Sequence, residues 1–252
     1  MGPPLLQLTD AEEVVLPAGR VTRGVVRVGD TVRRPAKASS PFVAELLLYL
    51  AARGCSWSPR YLGQDSSGRD VLSYLAGTVP AKWQTFEDQQ LRAAATILRA
   101  LYDATSGSKL APGGVVCHHD PGPNNFVFRD REPIALIDFD TAAAGSPLED
   151  LGYMAWAWCL SSNPLRGHVI AQARQVRTLA DAYGLSAAER AQLPEAIVER
   201  LRRNVSFWNS RVASADDILT ARDKLPEFVA WSKREQQFVE AHHSELVTAL
   251  GS

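Results

Sequence analysis

At 252 residues, with 46% apolar and 22% charged side chains, the chain can bury a sizeable core as one domain or as two lobes sharing a cleft, and two lobes is the expectation. A formal net charge of −1 and the lack of any Lys/Arg cluster with interleaved aromatics argue against a nucleic-acid partner. No apolar tract is long enough to span a bilayer, so no membrane role is expected. Three widely spaced cysteines, Cys55, Cys117 and Cys159, form no CxxC pair; they read as buried thiols rather than a disulfide framework or a zinc site. The opening MGPPLLQLTDAEEVV has no basic segment leading into an apolar stretch and a small-residue cleavage site, and a cytoplasmic location is expected.

In chain order, EEVVLPAG, RGVVRVGD and TVRR read as antiparallel strands broken by turns at Gly19 and at Gly29-Asp30. Ser40-Pro41 then supplies an N-cap and first-turn pair for FVAELLLYLAAR, and Gly54 is placed to end that helix. SWSPRYLGQD and GRDVLSYLAG read as two more strands around Gly68, completing an N-terminal lobe over 1–77, with 78–252 as the second lobe. The form Thr85-Phe86-Glu87-Asp88 resembles a capping box, and Leu91, Ala94, Ala95, Leu98 and Leu101 follow at helical spacing, which predicts a helix over 85–104. VVC at 115–117 predicts a strand, while FVF at 126–128 and IALI at 134–137 predict a hairpin around RDREP. Ser146-Pro147-Leu148-Glu149 and Ser186-Ala187-Ala188-Glu189 are further capping boxes, so the chain from 147 is predicted mostly helical.

The chemistry concentrates in CHHDPGPNNFVFRDREPIALIDFD. Asp120 and Asn125 lie five residues apart on a loop, and the hairpin behind them folds the chain back so that Asp138 returns to the same end. Phosphoryl transfer from ATP needs an aligned acceptor hydroxyl and hard oxygen ligands that hold magnesium against the phosphates. Asp120 suits the first task; Asn125 and Asp138 suit the second.

HxDxxxxN followed by IDFD resembles the aminoglycoside phosphotransferase and choline kinase superfamily, distant relatives of the protein kinases. The resemblance implies an α+β, bilobal protein-kinase-like fold, with a small antiparallel β-sheet lobe carrying one helix and a larger, mainly helical lobe. It implies Asp120 as catalytic base, His118 as an organiser of the catalytic loop, and Asn125 and Asp138 as magnesium ligands, with Asp140 as an auxiliary metal or acceptor contact. SPLEDLGYMAWAW resembles the next signature of the family, in which Asp150 would buttress the loop backbone. VLSYLAG resembles the hinge, where Ser73 and Leu75 would meet adenine, and LPAGRVTRG, with Gly19 and Gly24, a nucleotide-positioning turn. The family places on the third strand a Lys paired with a Glu of the next helix. This chain has TVRRPA, so the resemblance assigns Arg33 or Arg34 to the phosphates, Lys37 as a fallback, and Glu45 as partner. Alternation along a strand turns only one of the two arginines to the cleft.

The implied cofactors are ATP or GTP with Mg2+, and the implied partner is a small-molecule acceptor, of either aminoglycoside-like or metabolite type; oligomeric state is not legible. Residues 151–252 carry eleven Asp/Glu against twelve Lys/Arg, without the acidic excess that a polycationic acceptor would favour. Tyr153, Trp156, Trp158, Phe207 and Trp208 read as core, with an aromatic acceptor wall as the alternative. The expected function is ATP-dependent O-phosphorylation of a small hydroxylated molecule, with a catalytically silent, ligand-binding pseudokinase as the alternative. A metal-dependent hydrolase is disfavoured because no His-rich cluster is present.

Overall fold

The valine-rich runs near the N-terminus pair as strands because alternate β-branched side chains pack well on a pleated surface. A computed structural model of the chain describes residues 12–16, 24–81, 84–213 and 224–251. In it β1 (Glu13–Val15), β2 (Val26–Val28), β3 (Thr31–Arg34), β4 (Tyr61–Gln64) and β5 (Asp70–Ser73) form one antiparallel sheet in the order β1-β2-β3-β5-β4. The β2–β3 turn falls at Gly29-Asp30 as expected, with Gly29 at φ 57°; Gly19 lies outside the described residues. Register separates the two arginines of β3. Arg33 stands opposite Val26 and Val71 on one face, whereas Val32 and Arg34 stand opposite Leu72 and Asp70 on the other. Val32 and Leu72 join the main hydrophobic core with α1 (Ser40–Ala52), so Arg34 shares the face that looks toward the rest of the protein.

Two starts differ from the sequence expectation. The Ser40 hydroxyl does not cap α1; it accepts from Lys37 N at 2.9 Å and donates to Asp70, while Ser39 takes the cap position. The second helix, α2 (Asp88–Thr105), starts with a reciprocal box between Glu87 and Gln90 rather than at Thr85. Phe86 is the reason: its ring is buried 4.6 Å from Trp158, which holds residues 85–87 out of the helix. Beyond α2 come β6 (Val115–Cys117), β7 (Phe126–Arg129), β8 (Glu132–Leu136), β9 (Ala143–Gly145) and α3 (Pro147–Cys159). The C-terminal helices are α4 (Val169–Tyr183), α5 (Ala187–Ala213), α6 (Leu225–Ala241) and α7 (His243–Gly251). β7 and β8 form the expected hairpin, and Asp130 and Arg131 both adopt positive φ, as the common two-residue hairpin turn demands. The capping boxes at Ser146 and Ser186 are present. The β6–β9 pair was not legible, because Ala143-Ala144-Gly145 has no strand-forming side chain.

The sheet joins the helical part through a close backbone crossing. Thr78 and Phe128 exchange backbone hydrogen bonds of 2.9 and 2.7 Å, and a Cβ on Gly77 would stand 2.4 Å from the Phe128 carbonyl oxygen. Leu136 N donates to Trp57 O at 2.8 Å nearby. Among the described residues no helix is long and apolar enough to cross a membrane. Within the helical part α3 packs tightly on α5, where a Cβ on Gly152 would lie 2.6 Å from the Ala196 carbonyl oxygen. Gly152→Ala therefore has to push two buried helices apart, and the expected cost is about 1–3 kcal/mol. Urea unfolding measures it; an unchanged midpoint would contradict this packing.

Candidate active site

The loop between β6 and β7 is built on a buried carboxylate. Asp150, in the first turn of α3 and fully buried, accepts from His119 N at 2.7 Å through Oδ1, and through Oδ2 from His118 N at 2.6 Å and Tyr102 Oη at 2.8 Å. Burial, then the Asp150 charge, raise the Tyr102 phenol well above its ordinary pKa, so it stays protonated as a donor. Binding two consecutive amides bends the backbone, and His119 sits in the left-handed region at φ 62°. The buried His118 ring accepts from Asp120 N at Nδ1 (3.3 Å), so its Nε2 carries the proton given to Ile137 O at 2.9 Å. Both ring nitrogens are engaged by backbone groups, and Thr141 Oγ1 donates to the His118 carbonyl at 2.8 Å.

Asp120 and Asn125 meet as their spacing suggested. Asn125 Nδ2 donates to Asp120 Oδ2 at 2.9 Å and to the Asp120 carbonyl at 2.8 Å, while Asn125 Oδ1 accepts from Asn124 Nδ2 at 3.0 Å. Ile137 N donates to Asn125 O at 2.8 Å, which brings Asp138 beside the loop. Asp138 has left-handed backbone, φ 64° and ψ 61°, and its carboxylate is 49% exposed. Partial withdrawal from solvent, then the Asp140 carboxylate, raise its pKa above the usual range, with Arg34 pulling the other way. From the opposite side Arg34 reaches Asp140 and lies 3.7 Å from Asp138 Oδ1, and Lys37 Nζ binds Asp140 Oδ2 at 2.5 Å. Arg34 is also 3.9 Å from Asp70 Oδ2.

Other expected site residues go elsewhere. Arg33 is turned to the far face of the sheet, 3.6 Å from Asp65, which also binds Arg69 at 2.8 Å. Glu45 corrects the sequence reading: it pairs with Lys109 at 2.7 Å, not with either arginine, because Val43, Leu46, Leu47 and Leu50 turn inward and leave position 45 on the outer face of α1. Ser73 N is donated to Arg60 O at 2.9 Å and Ser73 Oγ accepts from Arg60 N, so of the Ser73 backbone groups the amide is engaged within the sheet; Leu75 makes no backbone hydrogen bond to the described residues. The core reading holds for three of the five aromatics and fails for Phe207. Tyr153, Trp156 and Trp158 are buried, and Tyr153 is hydrogen-bonded to Asp120; Phe207 is 44% exposed and packs on Trp208, which stacks on Phe228. Sequence reasoning missed the Tyr153–Asp120 contact, although the i, i+3 spacing from Asp150 on one helix face was available as a signal.

The donor set fits a magnesium ion held together with phosphate oxygens. Among the described residues no three His, Cys, Asp or Glu side chains form a metal cage. Magnesium beside a nucleotide needs only one or two carboxylates and a few further oxygens, and the half-open Asp138 with the Asn125 amide meets that need. Two expected outcomes follow from the electrostatics. Asp150→Asn places an NH2 against at least one buried donor, at a cost of about 2–4 kcal/mol in chemical denaturation. For Asp138 the folded pKa lies above the unfolded one, so its favourable contribution is present below the unfolded value of about 4 and is lost as pH rises. Asp138→Asn, well tolerated in left-handed backbone, should therefore melt higher than the parent at pH 7, with the gain shrinking toward pH 4. An equal melting temperature at pH 7 would contradict the repulsion.

Residues 108–194, which hold the loop, the hairpin and α3, match the model of the phosphotransferase enzyme family. Over 265 aligned residues the chain is 28% identical to a trifolitoxin immunity protein of Rhizobium leguminosarum bv. trifolii, covering 95% of this chain and 99% of that protein. Its fold is similar to that of a choline/ethanolamine kinase family protein from Mesorhizobium loti, with TM-score 0.62 and 17% identity over 96% of this chain and 93% of that one. It is similar also to a spectinomycin phosphotransferase in complex with ADP and spectinomycin, with TM-score 0.66 and 12% identity over 94% and 93% of the two chains. The segment that carries the candidate site thus matches the phosphotransferase enzyme family, within the protein-kinase-like fold that aminoglycoside phosphotransferases and choline kinase-like proteins share.

Proposed function

We propose that the protein is an ATP- or GTP-dependent O-phosphotransferase acting on the hydroxyl group of a small molecule. One observation carries this reading: Asp120, Asn125 and Asp138 converge at the open end of the β7–β8 hairpin, with Arg34 of the sheet facing them. In this reading Asp120, held by Asn125, orients the acceptor hydroxyl and takes up its proton at the carboxylate. Asn125 and Asp138 would hold magnesium, which when bound neutralises charge on the phosphates. Arg34, with Lys37 beside it, would turn from Asp140 to the nucleotide, and the open backbone at Leu75 would meet the base. The lobes would then divide at residue 77, with the nucleotide between them. A relative named for trifolitoxin immunity and a structural neighbour holding spectinomycin favour toxic or antibiotic compounds as the first acceptors to try, alongside hydroxylated metabolites.

A second reading, a catalytically silent nucleotide- or ligand-binding protein, is favoured by one observation: Asp140 already engages both Arg34 and Lys37. Thermal shift with ATP, with and without magnesium, followed by phosphate transfer over an acceptor library, separates the two; binding without turnover on any acceptor supports the second. If the first holds, Asp120→Ala lowers turnover by roughly a hundredfold or more with nucleotide binding retained. Arg34→Met weakens nucleotide binding without that loss. Near-parental turnover in Asp120→Ala would remove Asp120 from its assigned role.

A further inference from the structure

Asn125 binds one oxygen of the Asp120 carboxylate. A single side-chain donor leaves a carboxylate free to rotate about its Cβ–Cγ bond, because that sp³–sp² torsion has broad minima. A second donor comes from α3. Tyr153 follows Asp150 by three residues, so both project from one helix face: Asp150 takes the loop amides, and Tyr153 is hydrogen-bonded to the Asp120 side chain. The Tyr153 ring is buried, packs edge-on against Trp156 at 5.6 Å, and its hydroxyl would lie 3.3 Å from a Cβ on Gly122, against the loop between Asp120 and Asn125. From α5, the Arg200 guanidinium lies over the Tyr153 ring, 4.4 Å from its centre. The close approach at Gly152 makes that reach possible, since Ala196, which faces Gly152, is one helical turn before Arg200.

We propose that Tyr153 is a positioning residue for Asp120, with Arg200 of α5 holding Tyr153 in turn; this rests on the phosphotransfer reading of the site. Arg200 holds the ring by its face and the phenol donates to the carboxylate, so the cation acts on Asp120 through a neutral group. A direct guanidinium contact would engage the carboxylate in a strong ion pair, often through both oxygens, and compete with an acceptor hydroxyl. An interposed phenol fixes the carboxylate and leaves an oxygen lone pair open. Burial and the nearby Asp120 charge keep the phenol well above its ordinary pKa, so it remains a donor through the neutral range.

Tyr153→Phe keeps the ring, its packing on Trp156 and the arginine above it, and deletes only the hydroxyl. With ATP and magnesium alone, water serving as acceptor, the expected result is a five- to tenfold lower kcat with KM for ATP within twofold of the parent. Arg200→Met should lower kcat in the same direction by a smaller factor. Parental kcat in Tyr153→Phe would overturn the proposal. A thermal double-mutant cycle decides the contact without any turnover: Tyr153→Phe should lower the melting temperature by about 3 °C in the parent and by clearly less in an Asp120→Ala background. Equal losses in both backgrounds would overturn it. If the parent turns over neither water nor any acceptor, the phosphotransfer reading fails and with it the catalytic purpose of the contact, while the cycle still reports whether the hydrogen bond exists.

Discussion

The architecture of the site depends on one buried anion. A carboxylate without solvent must replace its hydration by donors, and Asp150 does so with two consecutive amides and a phenol drawn from two separate parts of the chain. That demand shapes the loop. His119 is forced into left-handed backbone, the His118 ring is pointed inward to close on Ile137 and the Asp120 amide, and α2, α3 and the end of β8 become parts of one unit. The side chains that meet solvent are thereby held by groups that do not.

The second constraint is charge. Asp138 and Asp140 stand close enough to raise the Asp138 pKa, and the protein answers with Arg34 and Lys37 from the other side of the junction. Asp70 completes this arrangement beside Arg34, and the Ser40 hydroxyl links Asp70 to the start of α1. Stability and chemistry pull against each other here: removing a carboxylate relieves repulsion and also removes a ligand that a cation would use. Strained or self-repelling groups of this kind are characteristic of functional sites.

Pattern and punctuation made much of the fold legible. The three N-terminal strands, the turn at Gly29-Asp30, the Asp130-Arg131 hairpin and the capping boxes at Ser146 and Ser186 depend on contacts within a few residues, and each is where local chemistry puts it. The start of α2 differs because Phe86 is pulled by Trp158, a partner more than seventy residues away. The β6–β9 pair escaped notice because two alanines and a glycine carry no strand preference of their own.

The sequence by itself determined the identity and spacing of Asp120, Asn125, Asp138 and Asp150, and hence the chemistry available, since residue type and loop length set which oxygens return to one end of a hairpin. Only the tertiary structure decided which positive charge faces them. The register of β3 against β5 sends Arg34 to the acids and Arg33 to Asp65, and the inward turn of α1 leaves Glu45 to Lys109. It also brought Tyr153, read as core, into contact with Asp120, because the approach of α3 and α5 at Gly152 depends on packing between segments more than forty residues apart, which no local pattern encodes.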